Sequence, residues 1–403
     1  MICFPCACRE VVRKALAWLW LDQGKVASDS DSAYCQARAR LSQPWLQEIG
    51  RLVVEKLQAQ SRPPHHWHQR RVIVIDGSAV SMPDTPENQQ AYPQSSRQKP
   101  GCGFPIARLV AAFSLATGAM MEIVWDKLAV GERTLFHRLW ERFQPGDVVL
   151  ADCGFCGYAD FWVLRQRGVD CVMRNHPRRS KGVKLIKQLS KNDRLVLWLK
   201  TKTWIKWLDW KSWKAMPETM TVREIRVVID IPGFRTEKMT LVTTLLDEKE
   251  YLGRDFADLY RRRWLAELFL RDIKITLGMD VLHCKTPAMV DKEIHMHVIV
   301  YNLIRALMFQ AAVENGLDPF RLSFKGAMDT IKQWEPVLKV CEEPEEVVAL
   351  ILKLLAADKL PHRPNRTEPR ALKRRKKNYQ LLNRPRHLFQ EIRHRNKYKK
   401  CLS

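Results

Sequence analysis

The sequence predicts an α/β protein whose mixed β-sheet core is interrupted by a mostly β insertion and flanked by helical regions. Two apolar runs, "RVIVIDGS" (71–78) and "DVVLADCGF" (147–155), have the composition of buried strands closed by turns. An amphipathic helix, "RTLFHRLWERF" (133–143), lies between them. Buried strands that alternate with helices are typical of an α/β core.

Helical periodicity dominates the region that precedes this core. "REVVRKALAWLWL" and "QPWLQEIGRLVVEKLQAQ" carry apolar residues at spacings of three and four. The stretch "SRPPHHWHQRR" (61–71) is rich in helix breakers. We therefore expect an N-terminal helical region at 1–70.

The core predicted for residues 71–315 contains further elements on both sides of an insertion. Before the insertion we expect two strands within 106–126, a helix at 158–167 and a strand at 169–174. After it we expect a strand at 238–246 and helices at 260–279 and 293–314.

Residues 177–238 form the predicted insertion and break the core pattern. From Arg178 to Lys214 there are twelve Lys or Arg against two acids, interspersed with tryptophans. A strand-like stretch, "VREIRVVIDI" (222–231), closes the segment. The composition predicts a basic, aromatic and mostly β insertion.

The remaining region, 316–403, is predicted to be helical with a basic tail. Residues 361–400 hold fifteen Lys or Arg and two Glu, a composition typical of arms that bind nucleic acid.

The net charge of +24 of the whole chain implies a polyanionic partner. Nucleic acid is favoured over a membrane, because the longest apolar stretches fall short of the ~20 residues that span a bilayer. The N-terminal stretch "MICFPCACRE" does not match a signal peptide, because charge interrupts its apolar segment and no cleavage site follows.

The cysteines and histidines favour a reducing compartment over a metal centre. Eleven scattered cysteines are an odd number, and Cys153-x-x-Cys156 lacks a second pair at zinc-finger spacing. Cys3, Cys6 and Cys8 are more suggestive of zinc, but we give them little weight. The paired histidines 295 and 297 are two residues apart and diverge on a helix, so we interpret them as packing or phosphate-facing residues.

Two aspartates follow buried strands at positions where chemistry is often found. Asp76 ends "VIVI" and Asp152 ends "VVLA", and each precedes small or turn-forming residues. In open α/β sheets, functional side chains lie at strand ends. A turn-initiating role is the simpler alternative for either aspartate alone.

The helix predicted at 260–279 carries a third carboxylate on a cationic face. Tyr260, Arg263, Glu267 and Lys274 have spacings of three, four and seven, so they share one face, while apolar residues occupy another. A solvated face with intrahelical ion pairs is the alternative.

Three carboxylates and the positive charge together indicate a metal-dependent enzyme that acts on DNA. Mg²⁺ prefers carboxylates, retained waters and substrate phosphates. Two such ions ~3.5–4 Å apart can activate an attacking oxygen and stabilise a leaving one in phosphodiester cleavage. This pattern favours a nuclease or a phosphoryl-transfer enzyme.

The spacing Y-x2-R-x3-E-x6-K resembles the signature of the insertion sequence four family of bacterial DDE transposases. "LVTTLLD", "ADLYRRRWLAELFLRDIKITLGM" and "EIHMHVIVYNLIRAL" are similar to the surrounding family sequence, as are "VIDGS" and "VLADCGF" around the two aspartates. The resemblance runs from about residue 30 to the tail and is weaker before Arg71.

The resemblance implies the fold and the chemistry. It assigns Asp76, Asp152 and Glu267 as a catalytic, metal-binding triad on a ribonuclease H-like fold, with two Mg²⁺ that Mn²⁺ can replace. Its implied partners are terminal inverted repeats, target DNA and a second copy in a homodimeric synaptic complex. The C-terminal region 316–403 would contribute dimerisation and DNA contacts in the bacterial cytoplasm, at the nucleoid. Cleavage would proceed through a hairpin on the element end.

The same resemblance implies DNA contacts around the scissile bond. The expected contacts are Tyr260, Arg263, Trp264, Arg271 and Lys274. Trp264 and one of the insertion tryptophans (204, 207, 210 or 213) are candidates for stacking on a flipped base, and packing in the protein explains each of them at least as well.

Two other functions remain as alternatives. A DNA-binding regulator descended from a transposase would be expected to lack a triad member, whereas all three are present. A host nuclease of the same fold would hydrolyse DNA without joining it.

Overall fold

The computed structural model describes residues 8–25, 27–176, 183–205, 207–229, 237–361 and 382–388. Cys3, Cys6 and most of the basic tail, 361–400, lie outside the described residues. Within these ranges the chain forms a mixed α/β structure around one nine-stranded sheet.

The first five strands of the sheet combine antiparallel and parallel pairing. They are β1 (Val72–Ser81), β2 (Ile106–Ser114), β3 (Met120–Lys127), β4 (Val148–Ala151) and β5 (Asp170–Arg174). Their order is β3-β2-β1-β4-β5. β1 to β3 form an antiparallel meander, whereas β4 runs parallel to β1 and β5 parallel to β4. The strands expected from the apolar runs are confirmed.

The strands of the predicted insertion continue the same sheet. They are β6 (Lys184–Ser190), β7 (Asp193–Leu199) and β8 (Thr219–Ile229), with a short helix α7 (Trp210–Ala215) between β7 and β8. β9 (Glu237–Thr243) pairs with β5 on one side and with β8 on the other, so it joins the insertion strands β6 to β8 to the core strands. The mostly β character of this segment is confirmed for its described residues.

Helices cover both faces of the sheet because the central strands are apolar at consecutive positions, so that both of their faces are apolar. Val72 and Val74 belong to a core formed with the C-terminal helices, while Ile73 and Ile75 belong to a core on the opposite face. The second face is covered by α5 (Glu132–Leu139) and α6 (Tyr158–Gln166). The result is a layer of strands between two layers of helices.

The helices of the first face surround α10 (Pro287–Glu314). It packs against α3 (Gln43–Ala59), α11 (Phe324–Val340) and α12 (Pro344–Ala357). It is also the one described helix long and apolar enough to cross a membrane, but 56% of the apolar window lies buried in the protein. That burial is typical of a central core helix.

The remaining helices include two that the sequence did not predict. α1 (Cys8–Gln23), α2 (Ser32–Arg40) and α3 lie in the region 1–70 that was expected to be helical, but α4 (Pro86–Ala91) and α7 were not predicted. α8 (Gly253–Arg261) begins before the predicted helix, 260–279.

His295 lies on α10, and its ring packs against the ring of Trp125 with the two centroids 5.2 Å apart, so the interpretation of His295 as a packing residue holds.

Two local predictions were wrong in ways that affect the site. The helix expected at 260–279 is broken after α8; α9 (Trp264–Arg271) follows, and a π-helical turn occupies Asp272–Thr276. β1 does not end in a turn after Asp76 but continues to Ser81, because it keeps its pairing with β2 over that length.

Candidate active site

Asp76 lies where β1 loses one of its two neighbours. β1 pairs with β2 from Ile73 to Ser81, but with β4 only from Val72 to Val74. Between Val74 and the isolated bridge of Ser81 with Val281, β1 pairs with no described residue on its β4 side. Asp76 is half-buried at this edge, and its Oδ1 accepts a hydrogen bond of 2.9 Å from the N–H of Gly77.

Asp152 follows β4 at the matching level of the sheet. Val74 is opposite Leu150, so Asp76 and Asp152 each lie two residues beyond the last pair of the ladder. Since alternate side chains share a face, both aspartates belong to the face covered by α8 to α10. The hydroxyl of Tyr260 donates to Asp152 Oδ1 at 3.3 Å.

Glu267 reaches the same region from α9. Arg263 Nη2 donates to Glu267 Oε1 at 2.8 Å, in the i, i+4 arrangement that one helical turn allows. The Arg263 guanidinium lies 5.8 Å from the centre of the Tyr260 ring. Contacts therefore run from Asp152 through Tyr260 and Arg263 to Glu267.

The predicted polar face is less exposed than a solvated helix surface would be. Tyr260 is buried, with 5% of its surface exposed, and the Arg263 side chain is 16% exposed. Burial opposes the charge of Arg263, but Tyr260, Glu267 and Asp76 outweigh it and raise its pKa. The interpretation of these residues as a solvated face is wrong for this part of the helix.

Lys274 lies in the π-helical turn and points to β1. Its Nζ donates to Ser78 Oγ at 2.7 Å. Asp76, Ser78, Glu267, Arg271 and Lys274 line one open pocket of about 420 Å³. The Arg271 side chain is 58% exposed at its rim.

The pKa of Asp76 is raised in this pocket. Burial raises the pKa of Asp76 to about 6, and the negative charges of Glu267 and Glu132 act in the same direction. The Gly77 N–H and the Arg263 cation oppose this rise. A divalent cation would relieve the same accumulation of negative charge.

The donor set fits Mg²⁺-type ions held by few protein ligands. Among the described residues, no three carboxylate, imidazole or thiol groups are grouped as ligands for a single ion. Mg²⁺ commonly uses one or two carboxylates and completes its shell with waters and substrate phosphates. Asp76 on β1, which lines the open pocket, and Asp152, directly after β4, match this preference better than a closed cage of protein ligands does.

Two residues near the site were not predicted from the sequence. Arg174 ends β5, and its charge acts on both Tyr260 and Cys153, next to Asp152. Glu132 begins α5, and a Cβ at position 77 would lie 2.7 Å from its Cδ, so the approach depends on Gly77. A strand-end cation in "VDCVMR" and the glycine of "VIDGS" are the sequence signals that could have found them.

The tryptophans of the insertion separate into packed and exposed rings. Trp207 packs on His137, with ring centroids 3.9 Å apart, and Trp213 is partly buried against Trp210 at 5.1 Å. Trp204 and Trp210 are 45% and 55% exposed. Trp264, at the start of α9, is 46% exposed. The candidates for stacking on a base are thus reduced to the three exposed rings.

Comparison with known proteins identifies the family. Residues 67–303, which contain all the site residues above, match the family described as Transposase DDE domain. This chain belongs to the DDE transposase family. The family domain uses divalent metal ions and cleaves and joins DNA strands, and it implies the ribonuclease H-like class of fold.

Curated relatives place this DDE transposase with insertion sequences. It is 27% identical to "Transposase InsG for insertion sequence element IS4" of Escherichia coli (strain K12), over 85% of this chain and 76% of that protein. It is 25% identical to "Putative transposase InsZ" of the same strain, over 34% of this chain and 46% of that protein. The chain is an insertion-sequence transposase of the insertion sequence four family, and it acts on DNA.

Proposed function

We propose that Asp76, Asp152 and Glu267 are the catalytic carboxylates of this transposase and hold two Mg²⁺, which Mn²⁺ can replace. The observation that carries this proposal is the matched position of Asp76 and Asp152 on adjacent parallel strands, with Glu267 in the pocket beside Asp76. When bound, the ions supply activation of the attacking oxygen and stabilisation of the leaving oxygen.

The side chains around the triad orient it and hold DNA phosphates. Tyr260 fixes Asp152 through its hydroxyl. Arg263 pairs with Glu267 in the free protein, and its planar fork can take a phosphate through two parallel hydrogen bonds. Lys274 and Arg271 add positive charge to the same pocket, where the Lys274 ammonium lies against Ser78 of β1.

The DNA substrate is the terminal inverted repeat of the element, followed by a target duplex. Hydrolysis frees a 3′-hydroxyl that attacks the opposite strand, so that a hairpin forms on the element end and is then reopened and joined. A flipped base at the hairpin would stack on an exposed ring, for which Trp204, Trp210 and Trp264 are accessible.

The domain assignments follow from this substrate. Residues 1–70 bind the element end, 71–315 form the ribonuclease H-like catalytic domain with its insertion at about 177–238, and 316–403 supply dimerisation and DNA contacts. The strand order β3-β2-β1-β4-β5 supports the catalytic assignment. A homodimer would bring the two ends together in a synaptic complex at the bacterial nucleoid.

A strand-transfer assay separates this function from its two alternatives. The probe is a labelled duplex with the DNA that flanks the coding sequence, mixed with a supercoiled target plasmid and Mg²⁺ or Mn²⁺. We expect labelled joint products. Cleavage without joining would indicate a host nuclease, and binding without cleavage would indicate a regulator; either result would contradict the proposal.

A further inference from the structure

A buried ion pair lies behind the active-site helix and has no part in the reaction described above. Arg305 Nη2, on α10, donates to Asp272 Oδ2 at 2.6 Å. The two residues are 5% and 6% exposed. Asp272 follows α9 directly, so the pair joins the end of the site-bearing helix to the central helix of the fold.

The guanidinium of Arg305 is surrounded by aromatic groups. It lies 4.8 to 5.3 Å from the ring centres of Phe269, Phe324 and Tyr301. Its Nε donates to the Tyr301 hydroxyl at 3.1 Å, which in turn donates to the Gly118 carbonyl at 2.8 Å. Stability alone does not require such a pair, since well-packed apolar residues can replace buried ions without loss.

Asp272 is also the first residue of the π-helical turn. The N–H of Leu277 donates to its carbonyl at 3.0 Å, which is the i to i+5 bond of a π-helix. Lys274 lies inside this turn, and its ammonium donates to Ser78, two residues after Asp76 on β1. Single π-turns within α-helices are frequent at functional sites.

Lys274, within this wider turn, points toward β1. Lys274 lies seven residues after Glu267, roughly 10 Å along a helix axis, which is beyond the i, i+3 and i, i+4 spacings at which helical side chains pair. Here Glu267 accepts from Arg263, and Lys274 donates to Ser78 on the facing strand. The π-turn thus keeps the ammonium on the β1 wall of the pocket.

We propose that Asp272 and Arg305 are positioning residues that clamp the first residue of the π-turn to α10 and so aim Lys274 at a DNA phosphate beside Asp76. This inference rests on the proposed phosphate-binding role of Lys274. Asp272 and Arg305 themselves touch neither the DNA nor the metal ions.

The salt dependence of DNA binding tests the inference, because it reports how many phosphates the protein neutralises, independently of the fraction of active protein. The probe is the labelled flanking duplex, bound to the full chain without divalent ions. Lys274→Ala should lower the slope of log K against log salt by about 0.9, the value for one neutralised phosphate. Asp272→Asn should lower the slope by the same amount. Lys274→Ala combined with Asp272→Asn should lower it no further than either single substitution.

A matched charge control and a second clamp variant keep the test decisive. Asp329→Asn removes an acid from an exposed pair with Lys325 on α11, and it should not lower the slope. Asp272→Leu combined with Arg305→Met replaces the clamp by apolar groups, of which Met packs well against aromatic rings. The Asp272→Leu, Arg305→Met variant should melt near the parent temperature. Its slope of log K against log salt should fall by the same amount as in Asp272→Asn, and its single-turnover cleavage should fall about 10²-fold, as expected for a misplaced group.

The possible failures are distinguishable. A parental slope in Asp272→Asn, with a reduced slope in Lys274→Ala, would overturn the clamp while the role of Lys274 stands. If the slope losses of Lys274→Ala and Asp272→Asn add when the two substitutions are combined, the clamp is overturned as well. If Lys274→Ala alone changed neither slope nor cleavage, the proposed role of Lys274 would fail first, and the clamp with it.

Discussion

Asp76 and Asp152 lie at equivalent positions of two neighbouring parallel strands, each two residues beyond the paired residues Val74 and Leu150. Parallel strands are spaced by roughly 4.8 Å, and residues of equal parity share a face. Two carboxylates that are far apart along the chain are thus brought side by side at the level where β4 ends.

The first prediction concerns the three carboxylates. Asp76→Ala, Asp152→Ala and Glu267→Ala should each reduce metal-dependent cleavage of the element end by at least about 10²-fold, on the scale of losing a positioned catalytic group. DNA binding should persist, because cations supply most of the affinity. Glu345→Ala, on the exposed first turn of α12, is the matched control. Near-normal cleavage in any triad variant would remove that residue from the site.

The second prediction concerns the attachment of the insertion strands to the catalytic helices. Arg223 on β8 is 1% exposed; it binds both oxygens of Asp193 and the carbonyls of Asp247 and Tyr251, shortly before α8. Arg223→Ala leaves Asp193 without its partner and should cost about 3–5 kcal/mol of unfolding free energy. Arg226→Ala, exposed on the same strand, should change it by less than about 0.5 kcal/mol. Urea unfolding of both variants measures the difference, and equal losses would contradict the prediction.

The sequence was sufficient for the strands and helices whose apolar pattern is local. The runs around Asp76 and Asp152 predicted buried strands because full burial requires continuous apolar residues. The spacing Y-x2-R-x3-E-x6-K of the family signature then predicted Glu267 as the third carboxylate. These inferences depend on residues close together in the chain.

Features that depend on distant residues were not predictable in this way. The segment 260–279 has helical periodicity throughout, yet the helix breaks near Arg263 and widens at Asp272, which pairs with Arg305 of another helix. β1 continues past Asp76 because β2 pairs with it, whatever the turn propensity of Gly77. The approach of Glu132 likewise follows from packing between elements.

The third prediction concerns the basic tail, 361–400. Its deletion should weaken binding to the flanking duplex and flatten the salt dependence, by about 0.9 in slope for each phosphate that the tail neutralises. Titrations between low and moderate salt measure the slope for the parent and the truncated chain. An unchanged slope would assign the tail to protein contacts or to no role in binding.

The fourth prediction concerns pH and His297 on α10. Burial lowers the pKa of His297 to about 4; Glu293 opposes this shift and His283 adds to it. In the unfolded chain a histidine titrates near about 6.5. The unfolded state therefore binds the proton first, and the unfolding free energy should be full above pH ~6.5 and fall as the pH drops toward ~4. Urea unfolding across this pH range should show that the unfolding free energy of His297→Gln falls less steeply with decreasing pH than that of the parent. The unfolding free energy of the exposed control His387→Gln should fall as steeply as that of the parent. Parallel curves for the parent and His297→Gln would show that other groups cause the loss.

The last prediction concerns Arg263, where phosphate binding and simple ion pairing give opposite results. If Arg263 only pairs with Glu267, then Lys at this position should preserve most of the pair, which is worth a few tenths of a kcal/mol on a helix. If it holds a phosphate next to the scissile bond, Lys should fail, because its point charge lacks the planar fork that binds two oxygens at once.

We expect Arg263→Lys to keep the parental melting temperature and gross DNA affinity but to lose most hairpin formation and strand transfer. Tyr260→Phe should be milder, since the ring under Arg263 remains and only the bond to Asp152 is removed. Arg261→Lys, an exposed neighbour that pairs with Asp258, is the matched control and should behave as the parent. Single-turnover cleavage of a labelled element end, with melting measured in parallel, separates the outcomes. Activity of Arg263→Lys within a few-fold of the Arg261→Lys control would assign Arg263 to structural pairing with Glu267, because a phosphate fork cannot be replaced at so small a cost.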